Sequence, residues 1–133
     1  TLTEGHPNEA AGGKRPMHTT IPGMIRQGGR VLMPFGVMGG AYQPCGHARF
    51  VSNLTDFGMD LQDAIDAPRC FSGVDGMEVE RGYSDTVRAD LAAMGHQVII
   101  PTAPLGGAQA IRIDGEVLVG ASDPRKDGCA LGY

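Results

Sequence analysis

The chain has 133 residues, of which 41% are hydrophobic and 20% are charged. That length and composition indicate a single folded domain, residues 1–133, rather than a disordered chain. The net charge of −4 argues against a nucleic-acid-binding surface, which needs clustered basic residues, and no apolar run approaches the ~20 residues of a membrane-spanning helix.

The first 16 residues, TLTEGHPNEAAGGKRP, lack a periodic apolar pattern and are predicted to form an extended polar arm. We expect a domain that begins in this way to be a piece of a longer chain. No basic stretch precedes an apolar one here, so we expect no signal peptide, and the compartment stays open. A β-hairpin is predicted next, with its turn at Gln27-Gly28-Gly29 and an apolar strand over residues 31–35.

Two helices are predicted after the glycine pair Gly39-Gly40. The first runs roughly from Pro44 to Phe57, and the side chains predicted to share one face are Ala48, Val51, Leu54 and Thr55. The second is short, with Asp60 as its N-cap, and Pro68 disfavours its continuation. Its apolar stripe consists of Leu61, Ala64 and Ile65.

More short strands and one further helix are predicted in the second half of the chain. Two strands flank a turn at residues 74–76, a helix with the stripe Val87, Leu91 and Met94 begins at Ser84, and HQVII is a strand. A hairpin turning near Asp114-Gly115 follows. The sum is an α+β fold with antiparallel hairpins and two or three helices, without the βαβ alternation of a doubly wound sheet.

The cysteines and histidines indicate neither a disulfide framework nor a metal site, because three cysteines and four histidines are scattered widely. Cys45 lies near a predicted helix start, where a thiolate is stabilised. His47 follows two residues later and would face away on a helix, so we expect Cys45 to be a small buried apolar residue rather than a nucleophile.

The glycine pair after the apolar strand has two interpretations. It is either a strand-to-helix turn or a pair of backbone N–H donors that no Cβ shields from a negatively charged group.

Three stretches together resemble the C-terminal part of gamma-glutamyltransferases, also called gamma-glutamyltranspeptidases. They are GKRPMHTTIPGMI, FGVMGGAYQPCGHARFVSNLTDFGMDLQDAIDAPR and GAQAIRIDGEVLVGASDPRKDGCALGY. The resemblance implies an N-terminal-nucleophile hydrolase, here a partial αββα sandwich that needs no metal or organic cofactor. In that family a precursor cuts itself, and the new N-terminal Thr of the small subunit attacks a gamma-glutamyl amide. The motif carrying that Thr is absent here, and Thr1 is not followed by the apolar strand it requires.

The resemblance also implies site residues. Gly39 and Gly40 correspond to the oxyanion hole, and His18 and Thr19 stand where the well-known members have a Ser-Ser pair that binds the substrate's carboxylate. That departure puts strict gamma-glutamyl specificity in doubt. Thr20 and Gln43 are further substrate-binding candidates, with Tyr42 and His47 as weaker ones, and the segment SDPRKDG with Asp123, Arg125 and Asp127 is expected to be a structural turn near the site.

The function expected from the resemblance is a small-subunit piece that is inactive alone. Its partners would be the rest of the small subunit, the large subunit and a gamma-glutamyl molecule such as glutathione, and unpaired sheet edges predict self-association into a homo-oligomer. The alternatives are a noncatalytic scaffold or binding domain of the same fold, and an amidase or acylase of another specificity, such as one acting on beta-lactam side chains.

Overall fold

The computed structural model describes residues 1–132, so Tyr133, the last residue of the third matching stretch, lies outside it. The architecture of these residues is α+β, as predicted, with two sheets, three α-helices and one short 3-10 turn. The strands are β1 (Pro22–Gln27), β2 (Arg30–Met38), β3 (Cys70–Ser72), β4 (Met77–Val79), β5 (Val98–Ile99), β6 (Gly107–Asp114) and β7 (Val117–Ser122). The helices are α1 (Gln43–Thr55), α2 (Leu61–Asp66) and α3 (Asp85–Ala93).

The larger sheet is antiparallel with the strand order β1-β2-β6-β7. Both predicted hairpins are present in it. Gly28 and Gly29 have φ of +55° and +80° in the first turn, and Gly115 has φ of +63° in the second. The apolar strand predicted over residues 31–35 is the start of β2, which pairs on both sides and so joins the two hairpins.

The smaller sheet pairs β3 with β4 in antiparallel fashion and β4 with β5 in parallel. Helix α3 connects the parallel strands and contacts β5. The predicted start of this helix is confirmed, because Ser84 is its N-cap and the Ser84 hydroxyl accepts from the N–H of Val87. Its apolar stripe is mostly exposed, with Met94 at 74% and Val87 at 39%, so this stripe does not build the core.

The core lies between one face of the larger sheet and helices α1 and α2. The buried residues that meet there are Met33, Val37, Phe50, Leu61, Ala64, Ile65, Ala108, Ala110 and Ala121. The predicted stripe and N-cap of α2 are confirmed, with the Asp60 carboxylate accepting from the N–H of Asp63 at 2.8 Å. The predicted face of α1 is partly wrong, because Ala48 and Thr55 are exposed.

Phe50 and Asn53 are buried on α1 instead of Ala48 and Thr55. Asn53 was not predicted in the core because its amide is polar. In the structure its Nδ2 donates to the carbonyl of Ala64 at 3.1 Å, which satisfies the buried group and ties α1 to α2.

The opposite face of the larger sheet carries apolar side chains that stay exposed. They are Met24 (57% exposed), Met38 (54%), Ile111 (45%) and Leu118 (67%). The C-terminal tail crosses part of this face, because a Cβ added to Gly120 would lie 3.0 Å from the Cβ of Ala130. Within residues 1–132, no helix has the length and apolar character needed to cross a bilayer.

Candidate functional site

The glycine pair lies where β2 ends and a single 3-10 turn, Gly40–Tyr42, leads into α1. Gly39 has φ of +132° and Gly40 has φ of +58°, both in the region that side-chain-bearing L residues rarely adopt. The turn therefore requires glycine for its backbone shape, and the missing side chains also leave the backbone N–H groups accessible.

Gly39 also lies against Gly106, which directly precedes β6, the strand that pairs with β2. A Cβ added to Gly39 would lie 2.9 Å from the Cα of Gly106 and 3.3 Å from the Tyr42 side chain. A Cβ on Gly106, where φ is +65°, would collide with the Met38 carbonyl oxygen. The two backbones are thus in direct contact, and the turn cannot shift without moving the segment before β6.

The N–H groups of Gly39 and Gly40 have no hydrogen-bond acceptor among residues 1–132, and both glycines are exposed. Neither N–H takes part in the strand ladder. The N–H of Tyr42 donates to the Gly39 carbonyl at 3.1 Å, which fixes the peptide that carries the Gly40 N–H. A Cβ on Gly40 would meet nothing within 4 Å, so the space beside this donor is open.

The segment of His18, Thr19 and Thr20 is exposed, and Ile21 separates it from the start of β1. Within the described chain, none of these three side chains makes a hydrogen bond. The Thr19 carbonyl accepts from Nε2 of Gln43 at 2.8 Å, and the same nitrogen donates to the Gly40 carbonyl at 3.3 Å. The structure therefore brings the two predicted site segments together, although about twenty residues separate them in the sequence.

Gln43, predicted to bind substrate, has its side-chain amide bonded to backbone groups in this structure. Its side chain is buried, and the contacts above occupy both of its N–H groups, while Oε1 accepts from the N–H of Ile21 at 3.2 Å. Its donors are engaged with the backbone and are not available to a substrate in this arrangement.

Tyr42 and His47 are also engaged within the fold. Tyr42 is 3% exposed and packs edge-on against Phe71. The Nε2 atom of His47 accepts from the N–H of Val37 at 3.2 Å, and its ring packs against Phe35. These contacts identify both residues as supports of the strand and turn.

Cys45 is exposed in the first turn of α1, so the expectation that it is buried is wrong. The helix surface at that position faces solvent, because Gly46 and Phe50 occupy the buried side. Thr1 lies in the arm, and its amino group donates to the carbonyl of Asn8 at 3.0 Å. The arm forms local turns and is exposed. No group of three or more His, Cys, Asp or Glu side chains within residues 1–132 is placed to hold a metal ion.

A buried ionic network lies behind the glycine pair. The Arg69 guanidinium pairs with the Asp123 carboxylate at 2.5 Å, and the two side chains are 6% and 0% exposed. Arg125 pairs with Asp123 at 3.2 Å and bidentately with Glu80 at 2.8 and 3.0 Å. Asp123 and Arg125 are therefore structural. Their partners Arg69 and Glu80 were not predicted from the sequence.

The network holds the chain around Leu105 on both sides. Arg69 donates to the Leu105 carbonyl at 2.8 Å, and Oε1 of Glu80 accepts from the Leu105 N–H at 3.1 Å. Asp123 accepts from the N–H of Ala108 at 2.7 Å. Because Gly106 lies between these anchored residues and touches Gly39, the network supports the glycine turn from beneath.

The acids of the network are stabilised in their charged form. Burial opposes ionisation of Asp123, but the N–H groups of Arg125 and Ala108 and the charge of Arg69 hold the pKa of Asp123 below its ordinary value of 3.8. Burial likewise opposes ionisation of Glu80, and the guanidinium of Arg125 together with two backbone N–H groups lowers the pKa of Glu80 from 4.5.

The sequence matches the family described as Gamma-glutamyltranspeptidase over residues 1–133. It is 36% identical over 142 aligned positions to the glutathione hydrolase-like YwrD proenzyme of Bacillus subtilis, covering 99% of this chain and 27% of that protein. The chain thus spans about a quarter of the length of that curated relative.

Two solved structures are similar. A gamma-glutamyltranspeptidase from Pseudomonas nitroreducens superimposes with a TM-score of 0.80 at 27% identity, covering 97% of this chain and 69% of that chain. The cephalosporin acylase of Bacillus halodurans gives a TM-score of 0.78 at 34% identity, covering 100% of this chain and 26% of that chain.

Proposed function

Since the chain belongs to the gamma-glutamyltranspeptidase family, we propose that it is the C-terminal part of the small subunit of an amide hydrolase or acyltransferase. Its glycine pair then forms the oxyanion hole of that enzyme. The observation that carries this proposal is the pair of successive backbone N–H groups at Gly39 and Gly40, exposed and without an acceptor in the described residues.

The chemistry of amide cleavage explains why such a pair is useful. Attack on an amide carbonyl places negative charge on its oxygen, and N–H donors about 3 Å from that oxygen stabilise the transition state, at roughly 3–4 kcal/mol per donor. The donors must already be in place, because reorganisation during the reaction would cost free energy. Contact with Gly106 and the hydrogen bond to the Gly39 carbonyl hold this turn in one conformation.

The segment His18–Thr20 supplies part of the acyl-donor pocket in this proposal. Its three side chains are exposed and unpaired within the described chain, and Gln43 places their backbone beside the glycine turn. Thr19 and Thr20 have hydroxyl donors, and His18 has a ring N–H, all of which suit a carboxylate.

The attacking Thr and the large subunit come from other parts of the precursor. The exposed apolar face of the larger sheet, with Met24, Met38, Ile111 and Leu118, supports this proposal, because a stable protein normally covers such a face. A second sheet from the missing portion would complete the αββα sandwich. Without that portion, we expect this chain to self-associate and to be inactive.

A second candidate is an amide acylase that does not require a gamma-glutamyl group. The His18-Thr19 pair in place of the family's Ser-Ser favours it, since an imidazole is bulkier than a hydroxymethyl group and changes the carboxylate pocket. The similarity to a cephalosporin acylase at 34% identity supports the same alternative.

The test compares two glycines of matched backbone shape in the complete protein. Gly40 and Gly115 have φ of +58° and +63°, and an added Cβ at either position meets nothing within 4 Å. Gly40→Ala and Gly115→Ala therefore carry a similar strain of roughly 1 kcal/mol. Only the Gly40 methyl group would stand beside the proposed oxyanion, so kcat/KM for amide hydrolysis should fall about 100-fold in that variant alone.

Equal activity in the two variants would reject the oxyanion assignment. Glutathione and a set of acyl-amides, including a cephalosporin side-chain amide, serve as parallel substrates with product release measured by mass spectrometry. Release of glutamate from glutathione supports the gamma-glutamyl enzyme, and cleavage of acyl-amides alone supports the second candidate.

A further inference from the structure

We propose that Gln43 is a positioning residue that fixes the distance between the carboxylate-binding segment His18–Thr20 and the glycine pair. This inference rests on the proposed function of those two segments. In this role Gln43 does not contact the substrate, in contrast to the prediction from the sequence, but holds the backbone of both segments in place.

The side-chain amide of Gln43 joins three backbone groups at once. Its two N–H groups go to the carbonyls of Thr19 (2.8 Å) and Gly40 (3.3 Å), and its oxygen accepts from Ile21 (3.2 Å). Only asparagine and glutamine combine two amide donors with one carbonyl acceptor in one plane. The side chain is 8% exposed, and a buried amide with these partners is satisfied.

The sheet cannot replace this hold on residues 19–21. Strand β1 begins at Pro22, and proline has no N–H with which to extend the ladder. Residues 10–20 are exposed, and among the described residues the hydrogen bonds of the Thr19 carbonyl and the Ile21 N–H go to Gln43. The position of the preceding side chains, His18 above all, therefore depends on this one amide.

We call the three hydrogen bonds of the Gln43 amide the clamp. Its end at the glycine turn is fixed by the backbone. Gln43 is the first residue of α1, and its own backbone N–H donates to the same Gly40 carbonyl that its side chain contacts. In the proposed site, the segment His18–Thr20 binds the carboxylate of the acyl donor and the glycine pair binds its reacting carbonyl. Gln43 would thus set the distance between these two contacts. A misplacement of about 1 Å costs on the order of 100-fold in rate in other enzymes.

The test uses the complete, processed enzyme with Gln43→Met and Gln43→Glu. Methionine keeps the side-chain length but removes all three hydrogen bonds, whereas glutamate keeps the acceptor for Ile21 and removes both donors. Gln62→Met is the matched control, because the Gln62 amide also bridges a backbone N–H and carbonyl, those of Ser122, away from the glycine turn. Rates are normalised to titrated active sites, and amide hydrogen exchange is followed at Ile21.

We expect both Gln43 variants to raise KM and lower kcat by about 10-fold each, while Gln62→Met changes neither by more than about twofold. Exchange at Ile21 should accelerate at least about fivefold in Gln43→Met, the factor that corresponds to one ordinary hydrogen bond, and much less in Gln43→Glu. Unchanged kcat and KM per active site in the Gln43 variants would overturn the inference.

The exchange measurement separates this inference from the proposed function. If the wild-type enzyme cleaves no amide, the proposed function fails, and faster exchange at Ile21 in Gln43→Met still supports the clamp. Exchange at Ile21 that is the same in wild type and Gln43→Met overturns the clamp, whatever the activity.

Discussion

Substitution of Asp123 by asparagine should destabilise the fold strongly, because Asp123 is the buried centre of the ionic network. Its carboxylate accepts from Arg69, from the N–H of Ala108 and from both the N–H and the guanidinium of Arg125. Asparagine keeps the shape but removes the charge and replaces one acceptor oxygen with a donor. The Arg69 side chain, 6% exposed, then remains charged without its partner.

Breaking a buried ion pair in this way costs about 3–5 kcal/mol of the free energy of unfolding. The loss of backbone hydrogen bonds that Asp123 accepts is consistent with a cost of that size. The whole free energy of unfolding of a typical domain is about 5–15 kcal/mol, so the loss is a large fraction of it. With a urea m-value of about 2 kcal/mol/M, the midpoint of unfolding should move down by about 1.5–2.5 M.

Urea unfolding followed by circular dichroism measures this shift. Asp114→Asn is the control of equal charge change, since Asp114 is 70% exposed and lies 3.9 Å from Arg112. An exposed pair of this kind contributes at most about 0.5 kcal/mol, and the midpoint should move by less than about 0.3 M. A shift for Asp123→Asn no larger than that of Asp114→Asn would refute the reasoning.

Three further outcomes are expected. The lowered pKa values of Asp123 and Glu80 mean that both groups contribute stability above their ordinary values of 3.8 and 4.5, and that this contribution is lost as the pH falls through the lower folded-state values. The free energy of unfolding should therefore decline below about pH 4, less steeply in Asp123→Asn than in wild type, and equal slopes would contradict the network. Cys45→Ser should leave amide hydrolysis within about twofold, because Cys45 is exposed and outside the proposed site; loss of turnover would reopen its role as nucleophile. Gly39→Ala should lower the thermal midpoint by several degrees more than Gly40→Ala, since its Cβ would lie 2.9 Å from a backbone carbon and that of Gly40 meets nothing within 4 Å.

The local elements were largely predictable from the sequence. The N-caps Asp60 and Ser84 and the glycine turns of both hairpins lie where their residue types predict them. The buried face of α1 was not predicted correctly, because the apolar pattern placed Ala48 and Thr55 in the core. The buried side instead carries Asn53, whose polarity is satisfied by a carbonyl on α2 that only the packed structure supplies.

The sequence pointed to candidate site residues but not to how they are held. The glycine pair and the His18–Thr20 segment were predicted as site residues from the family resemblance, and their role stays a prediction. The structure places the two segments side by side through Gln43. The use of Gln43 was not predictable, because a glutamine after a turn suits a ligand and a backbone partner equally well. Which one applies depends on where residues 19–21 lie.

By itself, the sequence determined the helices, hairpins and glycine turns, because caps, alternation and positive φ act over a few neighbouring residues. Only the tertiary structure decided that Arg69 meets Asp123, 54 residues later, and that Gly106 lies against Gly39. Such pairs depend on how the sheet and helices pack, and an arginine or a glycine carries no local signal of its distant partner.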